Sequence, residues 1–406
     1  MFGYCNLRII LPLLAVSAWL ATVPVVLAAQ ADIGALQRAA ESGDAKAQFE
    51  LGERLLWGLG VPASPQEAGE LLATSAGSGN VDAMRVLGEN LIGGWVLEQD
   101  KALGRDLLDR AIAAGDAGAM VALGRFHLYG DPLPSDETRA LALFEDAATR
   151  GNGEGLHAYG EQLMWGKKDP RRAEDYLTRS AELGVGAAWS TLAEGAMYGY
   201  LGEKKRRRFV GFADKAAAEG ETRIAVLEAQ RRLYGINMRA SGPKAIAGLE
   251  KAADAGNPDA ARFLISLVRD GNRLNVRKTP DRAEAYLEKY ADLIGEKESA
   301  RLAYTIRVAR SRQLPDFPAF AEAYDSRPDL QSVAFARELL SANANFAIYL
   351  LQRRLREMDL YKGALDGYAG TGTLRALWDA CLGLPNTTRC GDTIMHPSVI
   401  SRLITR

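Results

Sequence analysis

Few side chains in this chain are spaced for catalysis. The three histidines, His127, His157 and His396, show no H-E-x-x-H or other metal-ligand spacing. Carboxylates recur at Glu53, Glu89 and Glu161. Two acids at a suitable separation can cleave a glycosidic bond, but acids repeated once per structural unit usually form a solvated face. No G-x-S-x-G elbow, phosphate loop or dinucleotide fingerprint stands in a supporting context. These features point away from an enzyme and toward a chain without cofactor or metal.

Other side chains are better suited to binding than to reaction. Basic residues gather at Lys167, Lys168, Arg171 and Arg172, again at Lys204, Lys205, Arg206, Arg207 and Arg208, and again at Arg273, Arg277 and Lys278. Earlier segments at the same phase are neutral or acidic, as in Glu98 to Asp100 and Asp131, Asp136 and Glu137. If these segments share an edge, that edge runs from acidic to basic. It is either a solvated charge run or a docking stripe for an acidic protein, an anionic polysaccharide or lipid headgroups. The whole chain is balanced, with 50 Lys and Arg against 51 Asp and Glu, and is 48% hydrophobic. That balance excludes a generic nucleic-acid binder and a disordered polyelectrolyte.

The first residues indicate a compartment. Arg8 precedes an apolar run from Ile9 to Leu27, and small residues follow at Ala28, Ala29 and Ala31. This is the pattern of a signal peptide over residues 1–29, with cleavage after Ala28 or Ala31; the alternative is an uncleaved leader serving as a membrane anchor. Export predicts a periplasmic protein that loses Cys5 and keeps Cys381 and Cys390. In an oxidising compartment that pair reads as a disulfide, with two free thiols as the alternative.

The elements that must position these groups announce themselves by repetition. Glycines recur at Gly43, Gly79, Gly115, Gly151, Gly184, Gly220 and Gly256. A second series follows an aromatic, at Trp57-Gly58, Tyr129-Gly130, Trp165-Gly166, Tyr198-Gly199 and Tyr234-Gly235, with Gly94 and Gly271 at the same phase. A third begins Leu51-Gly52, Leu87-Gly88, Leu123-Gly124, Tyr159-Gly160. Three series in one phase mean stacked supersecondary units. Between the glycines lie two segments of helical spacing, and glycine suits the left-handed C-cap that closes each helix. Small residues at Ala47, Ala83, Ala119, Gly155, Ala188 and Ala260 let neighbouring backbones approach. One helix pair cannot bury its apolar face alone, so the units must stack.

The A-x-x-x-L-G, aromatic-x-G and A-A-x-x-G elements, as in Ala119 to Gly124, Tyr129-Gly130 and Ala147 to Gly151, resemble the Sel1-like repeat family, kin of the tetratricopeptide repeat. The resemblance implies an all-α fold, an α/α superhelical solenoid over residues 30–295 whose first helices line a binding surface for proteins. The fourth unit lacks three residues between its helices. Residues 296–345 read as a degenerate repeat with capping helices.

From Leu351 the pattern changes to Leu351-Gln352-x-x-Leu355, Tyr361-Lys362-Gly363-x-Leu365-Asp366-Gly367 and Gly370-x-x-Thr373. This resembles the peptidoglycan-binding domain family, a small helical module, here over residues 346–406. The resemblance implies glycan contact at Tyr361, Asp366 and Tyr368, or else a purely structural turn. Asp366-Gly367 suits a turn with a positive φ at the glycine, and Thr373 is placed to cap the next helix. Asp359, Ala380 and Cys381 depart from the family pattern.

Together these readings predict a periplasmic, non-catalytic scaffold for envelope proteins, touching peptidoglycan or an anionic polysaccharide, in exopolysaccharide assembly or secretion. The alternatives are a periplasmic regulator that restrains a sensor kinase pathway, and a cell-wall enzyme or its accessory subunit. No nucleic acid is expected, and membrane contact only through a retained leader.

Overall fold

The structure is a computed structural model that describes residues 33–130, 132–166, 169–202, 206–311, 313–384, 390 and 395–405. The leader read at residues 1–29 lies outside them. All regular structure among the described residues is helical. After α1 (33–41) come α2 (Ala45–Trp57), α3 (Pro65–Gly77), α4 (Val81–Gly93), α5 (Lys101–Ala113), α6 (Ala117–Tyr129), α7 (Glu137–Thr149), α8 (Gly153–Trp165), α9 (Pro170–Glu182) and α10 (Ala187–Tyr198). Then follow α11 (Arg206–Ala218), α12 (Arg223–Tyr234), α13 (Gly242–Asp254), α14 (Pro258–Asp270), α15 (Pro280–Ile294), α16 (Glu296–Arg310), α17 (Phe317–Asp325), α18 (Val333–Ala342), α19 (Ala344–Glu357), α20 (Thr371–Leu382) and α21 (Pro397–Ile404). The fold is an all-α repeat solenoid of helix pairs. It divides into two compact units: the described residues up to Leu192 with Tyr200–Gly202, and Ala193–Gly199 with the described residues beyond Glu203.

In the first unit each repeat closes and reopens by one local device. The glycine after the second helix takes a positive φ, as at Gly79 (91°) and Gly115 (94°), a conformation that a Cβ would strain. After Gly43, Gly79, Gly115 and Gly151 the next residue is Asp or Asn, and its side chain caps the following first helix; Gly184 is followed by Val185 instead. Asp44 accepts from the amides of Lys46 and Ala47, Asn80 from Ala83, Asp116 from Ala119 and Asn152 from Gly155. Second helices begin the same way at Asp100, Asp136 and Asp169. These acids therefore serve as N-caps, which satisfy otherwise unpaired amides.

The aromatic-Gly series behaves alike at Gly58, Gly94 and Gly130, all left-handed, but Gly166 differs, with φ −93°. The expectation that every glycine of this series ends its helix in the left-handed region is corrected here. The loop after α8 spans 166–169 where its counterparts span 58–64, 94–100 and 130–136.

Packing between the helices of a repeat depends on missing side chains. A Cβ on Gly88 would lie 2.9 Å from the Gly104 carbonyl oxygen, and one on Gly104 would lie 2.7 Å from that of Gly88. α4 and α5 thus touch backbone to backbone. Around such crossings Leu51, Leu72, Leu87, Leu108 and Leu123 form a continuous apolar core, the stacking that each pair needs.

In the second unit, α12 to α16 bury a similar core around Leu249, Leu264, Ile265 and Leu302. A further core runs from Tyr304 to Ile404 through α16 to α21. The change of motif at residue 346 is therefore no break in packing. Arg269 on α14 is almost fully buried. It donates to Asp270 (2.7 and 2.8 Å), Glu338 on α18 (2.7 Å) and Thr305 on α16. No described helix is long and apolar enough to cross a membrane.

Candidate binding surfaces

The first helices of the second to fourth repeats enclose a cleft of about 480 Å³. Arg85 and Glu89 come from α4. Val121, Ala122, Arg125, Phe126 and Tyr129 come from α6, and Asn152 and Glu154 from the start of α8. Trp95 completes it from just beyond α4. Gly118 at the start of α6 leaves room for the Arg85 stem, which a Cβ there would meet at 3.0 Å.

Trp95 explains an irregularity in the sequence. At the phase of Trp57 and Tyr129 this repeat has Gly93. A Cβ on Gly93 would fall 2.4 Å from the Trp95 indole. The ring folds back over the missing side chain, so the aromatic is displaced by two residues in sequence and restored in space. It stacks on Phe126 with centroids 6.1 Å apart. Trp95 nevertheless remains 62% exposed and Tyr129 71%. Large aromatic surface left open beside charge is typical of sites that bind proteins.

The charges of the cleft are unequally paired. Arg85 donates to Asp82 at 2.9 Å and lies 3.6 Å from Asp116, and Arg125 pairs with Glu154 at 2.7 Å. Among the described residues Glu89 is ion-paired only with Arg85 Nη1, at 3.9 Å. Burial pushes its carboxyl up from the ordinary range, and the pull of Arg85 and Arg125 does not cancel that.

Lys167, Lys168, Lys204 and Lys205 lie outside the described residues, as does the Arg206 side chain. Arg171 and Arg207 are exposed. Arg172 packs over the rings of Tyr159 and Tyr176 and pairs with Glu145, while Arg208 lies over Phe212. Lys278 donates to the Ala342 carbonyl at the end of α18. The histidines have local partners. His127 is buried with Nδ1 at 3.2 Å from the Pro134 carbonyl, His157 meets Thr191, and His396 caps α21. Glu161 accepts from Thr191 and faces His157. Among the described residues no three His, Cys, Asp or Glu side chains gather as a metal site.

In the C-terminal segment the motif residues serve one buried amide. Gln352 Oε1 accepts from the backbone amides of Asp366 (3.1 Å) and Gly367 (2.9 Å). Its Nε2 is 2.8 Å from Asp366 Oδ1, 3.0 Å from the Tyr368 carbonyl and 3.1 Å from Thr373 Oγ1. Asp366 also accepts from the Tyr368 amide, and the two bonds hold its carboxyl below the usual range. The Tyr361 hydroxyl, near the same amide, donates to the Ala364 carbonyl. Of the three residues considered for glycan contact, Tyr361 and Asp366 are thus occupied in the turn, and Tyr368 is 63% exposed.

Thr373 does not cap α20, contrary to the sequence expectation. That helix starts two residues earlier, behind Gly370, and the buried Thr373 hydroxyl donates inward to Tyr368. Asp359, where the family pattern has glycine, adopts φ 57°, a conformation Asp tolerates better than most residues. Cys381 and Cys390 are joined by a disulfide, their Cα atoms 5.9 Å apart.

Comparison with known proteins identifies the repeat. The Sel1 repeat model matches residues 45–80, 81–116, 117–152, 154–185 and 218–257. These five segments match the Sel1 repeat. The cleft lies on the first helices of segments that match the Sel1 repeat model. A protective antigen of uropathogenic Escherichia coli with an SLR fold is similar, at 19% identity and TM-score 0.44, over 92% of this chain and 93% of that one. A Sel1 repeat protein from Oxalobacter formigenes matches at 20% identity and TM-score 0.46, over 62% of this chain and 98% of that one. An immunity protein from Pseudomonas aeruginosa matches at 16% identity and TM-score 0.34, over 62% and 82%. A search of the curated proteins finds no match.

Proposed function

We propose that this chain is an exported, non-catalytic scaffold that holds envelope proteins against the first-helix face of its Sel1 repeats. The observation that carries this is the cleft. Two exposed aromatics, Trp95 and Tyr129, stand beside Arg125 and Glu154 on a face built from three consecutive first helices. Such a surface combines anchoring π area with polar groups that fix register.

Periplasmic placement rests on the apolar run Ile9 to Leu27 with its small-residue exit. A disulfide at Cys381 and Cys390 accords with that compartment. Contact with peptidoglycan would fall to Tyr368, because Tyr361 and Asp366 are used internally. The exposed Arg171 and Arg207 suit an anionic polysaccharide, and this supports a role in exopolysaccharide assembly or secretion.

Site-specific photo-crosslinking in intact cells tests the reading. A benzophenone side chain at Tyr129 should give discrete envelope-protein adducts that disappear with Trp95→Ala. The same probe at the exposed Arg110 on α5 should give none. Equal adducts from both positions, or fractionation of the chain with the cytoplasm, would refute the proposal.

A further inference from the structure

Among the described residues Glu89 is the most weakly paired charge of the cleft. Arg85 is shared between Asp82 and Asp116, and Arg125 is taken by Glu154. Glu89 remains. Among the described residues no hydrogen bond reaches its carboxylate, and its single ion pair, at 3.9 Å, is to the already shared Arg85. Burial raises its carboxyl, and Asp116 adds to that, against Arg85 and Arg125. A half-buried carboxylate without its own cation costs free energy, and glutamine or leucine would serve the fold better. In the same cleft the stacked Trp95 and Phe126 rings present π faces, which attract cations.

We propose that the cleft seats a lysine or arginine side chain of the protein partner, its cation on Glu89 and its stem along Trp95 and Tyr129. This rests on the reading of the cleft as the partner site and adds the chemistry of what enters it. An acidic group would meet Glu89 and Glu154, while Arg85 and Arg125 are already held by Asp82, Asp116 and Glu154. A wholly apolar side chain would cover the Glu89 carboxylate and leave it still more poorly paired. A long cationic side chain satisfies both the carboxylate and the rings.

The test pans the full chain against a random dodecapeptide phage library, then titrates resynthesised peptides by fluorescence anisotropy. Enriched peptides should share one Lys or Arg. Norleucine in its place should weaken binding about tenfold. Glu89→Gln should weaken the basic peptide by a similar factor and leave the norleucine peptide unchanged, with an undiminished melting temperature. Gly93→Ala, which displaces the indole, should weaken both peptides. If enriched peptides need Trp95 but carry no shared basic residue, or ignore Glu89→Gln, the cation assignment fails while the cleft stands. If nothing is enriched, or binding ignores Trp95→Ala and Tyr129→Ala, the cleft itself fails as the partner site and the proposal falls with it.

Discussion

Replacing Arg269 with methionine should destabilise the second unit by about 3–5 kcal/mol, the usual cost of removing one partner from a buried ion pair. Methionine keeps much of the stem, so little of this is lost packing. The cost lies in the acceptors left behind. Asp270 loses both bonds of a two-pronged contact, at 2.7 and 2.8 Å, and its side chain is only 17% exposed. Glu338 fares better, because Arg301 still reaches it at 2.9 Å. Most of the loss therefore belongs to Asp270, and Arg269→Met with Asp270→Asn should recover about 1–3 kcal/mol relative to simple addition. Burial alone would lower the Arg269 pKa, but its bonds to Asp270 and Glu338 outweigh that and leave it raised, so the guanidinium stays charged throughout. The assay is guanidinium unfolding followed by helical circular dichroism, with hydrogen exchange of α14, α16 and α18 as the local reading. Arg262→Met is the control. Arg262 pairs with Asp259 at 2.7 Å but is 40% exposed, and it should cost less than about 1 kcal/mol. If Arg269→Met costs no more than this control, or adds linearly to Asp270→Asn, the network does not hold the three helices together.

Gln352→Leu should cost about 2–3 kcal/mol and open residues 358–370 to limited proteolysis, because the amides of Asp366 and Gly367 lose their acceptor. Asp366 has a lowered carboxyl pKa, so its contribution is present above the ordinary Asp range and is lost as pH falls through the lowered value. Asp366→Asn should therefore flatten the acid side of the stability profile, seen in melting temperatures between pH 2 and 6. Gly130→Ala should cost about 1 kcal/mol or more, since its φ is 68° and a Cβ would lie 2.8 Å from that of Ser135. Gly166→Ala, at φ −93°, should cost distinctly less when both variants are melted side by side.

The fold was legible because its determinants are local and repeated. A left-handed glycine needs no distant partner, so Gly79 or Gly115 carries its meaning in its own position. The Asp or Asn after Gly43, Gly79, Gly115 and Gly151 was equally visible and explains more, since that residue caps the next helix. Asp100 and Asp136, read from the sequence as charge, also cap the second helices of their repeats. Gly166 shows the limit of phase. The same dipeptide before a shortened loop takes another conformation. At the C-terminal segment the motif was visible but its centre was not. Gln352 was noted only as part of a pattern, and its role depends on burial beneath a turn that lies further along the chain.

The cleft was harder to read, for a reason that concerns charge more than fold. Glu89 shares its phase with Glu53 and Glu161, and by phase alone all three are alike. What distinguishes them is the neighbouring repeat. Glu161 is answered by His157 on its own helix and by Thr191 on α10. Glu89 has Arg85 in the corresponding place, and Arg85 is drawn away by Asp82 and by Asp116. Gly118 lets this happen by leaving room for the Arg85 stem. If that account is right, Gly118→Ala should push Arg85 back toward Glu89, lower the raised Glu89 pKa and weaken any cationic ligand without touching the carboxylate itself. Side-chain carboxyl titration by NMR would read the first effect. An unchanged Glu89 pKa in that variant would mean that the charge is isolated by burial alone and that the neighbouring repeat plays no part.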